Sequence, residues 1–164
     1  MVKLNLKEIF KTKNRFSQSY VFKPEDLKLP PDLGEIREPV SVYVEITKEK
    51  GGYRVNMEIE GYVVLECSRC LTVFHKDIGR HESIRIEPYP TTTTEVLYLK
   101  PSELDVSFFE DEEAFDLTEL VREQIILSIP MKPLCSPNCN VGLYEDLEER
   151  TSTLGDLLKK VNVL

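Results

Sequence analysis

From Val40 the chain alternates with a period of two: Val40, Val42, Val44 and Ile46 are apolar, with Ser41, Tyr43, Glu45 and Thr47 between them. That is the pattern of a strand with one buried face. Lys48 to Gly52 supplies a turn, with Gly51 and Gly52 able to take positive φ. The alternation resumes at Tyr53, Val55, Met57 and Ile59, so the two segments predict a hairpin. Gly61 predicts a bulge or bend, since it has no side chain to pack. Beyond it Val63, Leu65 and Cys67 keep the parity of Ile59, which brings Cys67 to the strand end on the inward face. Thr72, Val73 and Phe74, then Ile78, Ile84 and Ile86, predict that the chain turns at the cysteines and runs back as strand. A further short strand is expected at Glu95 to Leu99.

Asp116 is a good N-cap with Glu119 as its capping-box partner, and Leu117, Leu120, Val121 and Ile125 form an apolar helical stripe ending near Ser128, before Pro130. Leu154, Leu157, Leu158 and Val161 predict a last helix over Thr153 to Val161. Residues 102–116 carry Glu103, Asp105, Glu110, Asp111, Glu112, Glu113 and Asp116, a charge run that predicts a solvated loop. Residues 11–39 are polar and broken by Pro24, Pro30, Pro31, Gly34 and Pro39, so they read as extended chain around a possible edge strand at Ser19 to Phe22. The expected class is α+β: an antiparallel β-meander sheet or open barrel with two helices packed on it. Residues 1–39 would form a basic, proline-containing segment packed on a single domain of residues 40–164.

A length of 164 residues suits one core with tails. No stretch reaches the roughly 18 apolar residues of a membrane span. Met1 to Phe10 lacks the apolar run of a secretory signal, so the expected location is the cytoplasm. The formal charge of −8 argues against a general nucleic-acid coat. It hides a gradient: residues 1–28 hold seven Lys or Arg against three Asp or Glu, whereas residues 103–164 hold five against fourteen. The first end suits RNA and the second repels it.

Cytosolic thiols stay reduced, so close cysteine pairs there read as metal ligands or redox centres. Cys67-Ser68-Arg69-Cys70 lets two thiolates face one ion from a tight turn, and Cys135-Ser136-Pro137-Asn138-Cys139 is a wider version among turn-formers. Four thiolates make a closed, structural, zinc-type site with no open position for a reacting water. The alternatives are a thioredoxin-like redox pair, which needs Cys67 at a helix start where Leu71 to Phe74 favours strand, disulfides within or between the pairs, and cysteines that have lost an ancestral metal. His75 and His81 form no two-histidine zinc pattern, although His75 is near enough in sequence to substitute as a ligand. No phosphate-cradling glycine loop or nucleophile elbow is present, so neither an enzyme nor a small-molecule substrate is expected.

Cys67-Ser68-Arg69-Cys70-Leu71, then Asp116-Leu117 through Glu123, Leu127-Ser128-Ile129-Pro130-Met131 and Pro133-Leu134-Cys135 with Cys139, resembles the bacterial and plastid YceD family, also described as large ribosomal RNA subunit accumulation proteins. The resemblance implies a role in accumulation or processing of large-subunit ribosomal RNA, with that RNA or a ribosomal protein as partner, and a metal knuckle at the cysteines. After Cys139 the sequence departs from the pattern: Asn140 and Val141 precede Gly142-Leu143, and Tyr144 stands where a cysteine is usual. The extra cysteine pair of many members is missing. With the basic first 28 residues, the resemblance makes Lys3, Lys7, Lys11, Lys13, Arg15, Arg69, Lys76 and Arg80 the candidate RNA contacts. A competing reading is a protein-interaction adaptor whose acidic segment 103–116 binds a basic ribosomal protein.

Overall fold

The computed structural model describes residues 1–89 and 106–139. Its elements are, in chain order, β1 (Lys3–Leu4), α1 (Leu6–Ile9), β2 (Arg15–Phe22), β3 (Val40–Glu49), β4 (Gly52–Glu60), β5 (Tyr62–Glu66), β6 (Val73–Asp77), β7 (Arg80–Pro88), β8 (Val106–Phe109), β9 (Phe115–Asp116) and α2 (Leu117–Ser128). The strand expected at Glu95 to Leu99 and the helix expected at Thr153 to Val161 lie outside the described residues. The chain divides into one unit of Met1–Leu65 with His75–Pro130 and a second of Glu66–Phe74 with Met131–Leu164.

The first unit is built on a five-stranded sheet of order β2-β3-β4-β7-β8. The period-two pattern forms it as expected. Val42 faces Ile59, Val44 faces Met57 and Ile46 faces Val55 across the β3–β4 register, and all six are at most 1% exposed. Two residues close the hairpin, with Glu49 opposite Gly52, and Gly51 takes φ +82°. Gly52 is needed for a different reason: a Cβ there would lie 2.4 Å from the carbonyl oxygen of Ile86 in the paired strand. Gly52→Ala is therefore expected to cost about 1–3 kcal/mol, the usual penalty for overpacking, read as a lower urea midpoint with unchanged slope.

Strands β2, β3 and β4 pair antiparallel in chain order, but the chain departs from the expected meander in two places. After Gly61 the chain leaves the sheet, and β5 and β6 form a separate two-stranded ribbon before β7 returns antiparallel to β4. Then β8 joins β7 in parallel, Arg85 facing Val106. Period-two patterning fixes which face of a strand is buried but not which neighbour it pairs with or in what direction. The sheets formed by the described residues are open, and none closes into a barrel.

The acidic run at 102–116 is not wholly the solvated loop that its charge suggests, since it contributes β8 and β9. Phe109 and Phe115 are buried there and meet edge-on, ring centres 6.3 Å apart. Phe109 also meets Tyr53, and Tyr53 meets Phe10, at 6.2 and 5.1 Å. This aromatic chain joins the segment after α1 to β4, β8 and β9. Each ring has a large area to remove from water, which outweighs the solvation of neighbouring carboxylates that still reach the surface.

The α2 boundary is as expected: Asp116 accepts from the Glu119 amide at 3.0 Å, and Leu117, Leu120, Val121 and Ile125 are buried. The amino terminus docks against this helix start. Leu117 N–H donates to the Val2 carbonyl at 3.0 Å, Val2 N–H donates to Thr118 Oγ1 at 2.7 Å, and β1 pairs with β9. The turn α1 has no helical period in the sequence to announce it, since Val2, Leu4 and Leu6 simply alternate with polar residues. Asn5 caps it by accepting from the Glu8 amide at 3.0 Å. The edge strand foreseen at Ser19 to Phe22 begins earlier, at Arg15.

Candidate metal centre

The second unit holds all four cysteines. Both of its described stretches are turns fastened to each other by backbone. In the early turn, Leu71 N–H donates to the Cys67 carbonyl and Cys67 N–H to the Thr72 carbonyl, each at 2.9 Å. These bonds curl Cys67 to Cys70 into a knuckle. In the late turn, Cys139 N–H donates to the Ser136 carbonyl at 3.2 Å. Ser68 N–H donates to the Pro133 carbonyl at 2.8 Å, and Arg69 Nη1 donates to the Cys139 carbonyl at 3.0 Å.

As a result, Cys67, Cys70, Cys135 and Cys139 have sulfurs within 4.8 Å of one another. The nearest pairs join one turn to the other: Cys67 to Cys139 and Cys70 to Cys135, both at 3.6 Å. All four thiols are free; a disulfide would bring two sulfurs to about 2.05 Å. A tetrahedral ion with sulfur ligands at about 2.3 Å has sulfur–sulfur edges of about 3.8 Å. The cluster is close to that size without rearrangement, so the donor set and its dimensions fit a thiolate-bound divalent cation. Among the described residues this is the one group of cysteine, histidine or acidic side chains placed to hold a metal. His75 and His81 are exposed and outside it.

The electrostatics also call for a cation. The Cys67 thiol is lowered to about 6, first by the backbone amide of Cys70 and then by that of Cys135, both donating to its sulfur. Cys70 is lowered by the Thr72 hydroxyl, 3.1 Å away, and by the Thr72 amide. The late pair moves the other way. Cys135 is lowered by its hydrogen bond with Cys139, but Cys70, loss of solvent and the Cys67 charge leave it raised overall. Cys139 is pushed up to about 12 by hydrogen bonding to Cys135, loss of solvent and the other sulfurs. The early turn thus favours ionisation of its thiols, whereas hydrogen bonding among the sulfurs and loss of solvent disfavour it on the late turn. A divalent cation held by Cys67, Cys70, Cys135 and Cys139 would favour the thiolate form of all four.

Two features of the knuckle left no trace in the sequence. Thr72 supports Cys70, and Leu71 holds the turn with φ +62°. A glycine would have marked this left-handed position, whereas Leu71 helped predict strand over Leu71 to Phe74; β6 instead starts at Val73. Leu71 is 67% exposed and so has little packing to lose. Relief of an L-residue in the left-handed region, less the entropy of glycine, makes Leu71→Gly stabilising by about 0.5–1 kcal/mol. The expected result is a higher chelator concentration at half-loss of metal.

The candidate RNA contacts are not gathered into one patch by any observed contact. Lys3, Lys7, Lys11, Lys13 and Arg15 are exposed in the first unit. Lys7 pairs with Glu113 at 3.5 Å and Arg15 with Glu45 at 2.6 Å, while Lys13 lies 5.3 Å over the Phe16 ring. Lys76 is half-buried on β6, and Arg80 on β7 lies 2.9 Å from Glu82. Arg69 is committed to the Cys139 carbonyl.

Fold and site together define a β-rich protein with a four-cysteine cluster of metal-binding dimensions. A family model described as large ribosomal RNA subunit accumulation protein YceD matches residues 55–156, a span that includes both cysteine pairs. The chain belongs to that family. No curated protein matches the chain, and no solved structure does. No helix among the described residues is long and apolar enough to cross a membrane.

Proposed function

We propose that this chain is a non-enzymatic, cytoplasmic ribosome-biogenesis factor that supports accumulation or processing of large-subunit ribosomal RNA, with Cys67, Cys70, Cys135 and Cys139 holding one structural zinc ion. The family match carries the RNA reading, and the mutual approach of the four sulfurs supports the ion. Bound zinc with four sulfur ligands supplies folding free energy and has no position left for substrate. The protein residues do the rest: backbone amides favour the thiolate form of Cys67, the Thr72 hydroxyl and amide lower Cys70, and Arg69 ties the late turn to the early one.

RNA contact is assigned to the basic first residues; Lys3, Lys11 and Lys13 hold no ion pair among the described residues, whereas Lys7 and Arg15 would exchange an acidic partner for phosphate. Cross-linking in cells followed by sequencing of the bound RNA tests this. Large-subunit ribosomal RNA should be recovered, with recovery and in vitro affinity falling in Lys11→Glu/Lys13→Glu and with added salt. Loss only on neutralising Glu110 to Glu113, with no salt-sensitive RNA binding, would overturn it in favour of the adaptor.

A further inference from the structure

The first unit contains a groove of about 530 Å³ formed by β7, β8, β9 and the start of α2, within the range of ligand-binding clefts. Its floor is aromatic. Phe109 and Phe115 lie at the bottom, and Tyr89 stacks on Phe108 with ring centres 5.5 Å apart and planes at 24°. Tyr89 is 56% exposed, an unusual position for a ring already stacked on one side. The rim is acidic: Glu110, Asp111, Asp116, Glu119 and Glu123 line it, with Lys3 as the one cation. Asp116 is occupied as the α2 cap and Glu119 pairs with Arg122 at 3.0 Å. Glu110 and Glu123 have no salt bridge among the described residues.

Apolar floor and anionic rim together select the occupant. Nucleic acid would bring phosphate against five carboxylates. An inorganic cation would have no use for the exposed rings. Arginine suits both surfaces, because its planar cation stacks on aromatic faces and pairs bidentately with carboxylates. We propose that this groove binds an extended basic segment of another protein, with arginines over Tyr89 and Phe108 and an aliphatic or aromatic anchor on the floor. The Glu123 carboxyl, raised by partial loss of solvent and then by the Glu119 charge, is relieved by such a neighbour. The inference does not depend on whether Lys11 and Lys13 meet RNA.

Fluorescence anisotropy on the full chain tests it with a short labelled peptide rich in arginine around a single leucine. Saturable binding is expected, weakening with salt and by about tenfold or more in Tyr89→Ser and in Glu110→Lys/Glu123→Lys. These residues are exposed, so thermal unfolding should be unchanged, and RNA cross-linking should persist in both variants. Equal binding of a glutamate-rich peptide, indifference to the groove variants, or no binding of the basic peptide would overturn the proposal. So would binding that appears only when residues 90–105 are replaced by a glycine-serine linker, which would assign the groove to the chain itself. Loss of RNA binding in the groove variants, with peptide binding intact, would assign it to nucleic acid.

Discussion

Cys67→Ser is expected to abolish metal retention and to unfold the cysteine turns while the five-stranded sheet remains folded. Structural zinc in small finger peptides supplies roughly 10–16 kcal/mol at neutral pH. The 64 residues between Cys70 and Cys135 subtract about 4 kcal/mol for loop closure, leaving a large net contribution. The described part of this unit is short and has few buried side chains: Cys67 is fully buried and Cys139 is 9% exposed, but Cys135 and its neighbours lie at the surface. Among the described residues little else holds these turns. Hydrogen exchange separates the two units. The amides of Cys67, Leu71 and Cys139, bonded within the turns, should lose protection in Cys67→Ser or on chelation, whereas those of Val42 and Met57 should keep it. Cys135→Ser should behave alike despite its exposure, and Ser136→Ala should leave the metal in place. Protection of the turns that survives both chelation and Cys67→Ser would contradict a metal-held unit.

Phe109→Ala is expected to cost about 3–5 kcal/mol, the range for removing a buried phenylalanine. Phe109 is 8% exposed, ends the strand that adds in parallel to β7, and meets both Tyr53 and Phe115. Its replacement removes the centre of the ring chain and loosens the amino terminus with it, because β9 pairs with β1. The adjacent exposed Glu110 offers the contrast: Glu110→Ala should stay within about 0.5 kcal/mol of the parent. Chemical denaturation of both variants checks the pair. A loss below about 1 kcal/mol for Phe109→Ala would mean that residues 106–116 behave as the surface loop their charge suggests.

These two sites show what the sequence makes legible. The β3–β4 hairpin could be read from Val40 to Ile59, because one face of each strand is buried and the other is wet, and that difference is written at every second residue. The start of α2 was legible because Asp116 caps with its own side chain. The cysteine spacing identified the cluster for a similar local reason, since two thiols on a tight turn have few other uses. Pairing between distant segments carried no such mark. Neither the parallel approach of Val106 to Arg85 nor the excursion of β5 and β6 alters the local pattern. The groove was hidden because Phe108, Phe109 and Phe115 sit among carboxylates, and charge dominated the reading of that stretch. Arg69 also donates to the Cys139 carbonyl, a contact that depends on where that carbonyl arrives and that no local pattern marks.

The central claim is one zinc ion on four thiolates drawn from two distant turns. X-ray absorption at the zinc edge, on protein purified without chelators or added metal, addresses it directly. The expected result is one zinc per chain with four sulfur neighbours at about 2.3 Å and no nitrogen or oxygen in the shell. Protein that is folded through the cysteine turns yet carries no metal, or a zinc shell containing fewer than four sulfurs, would contradict it.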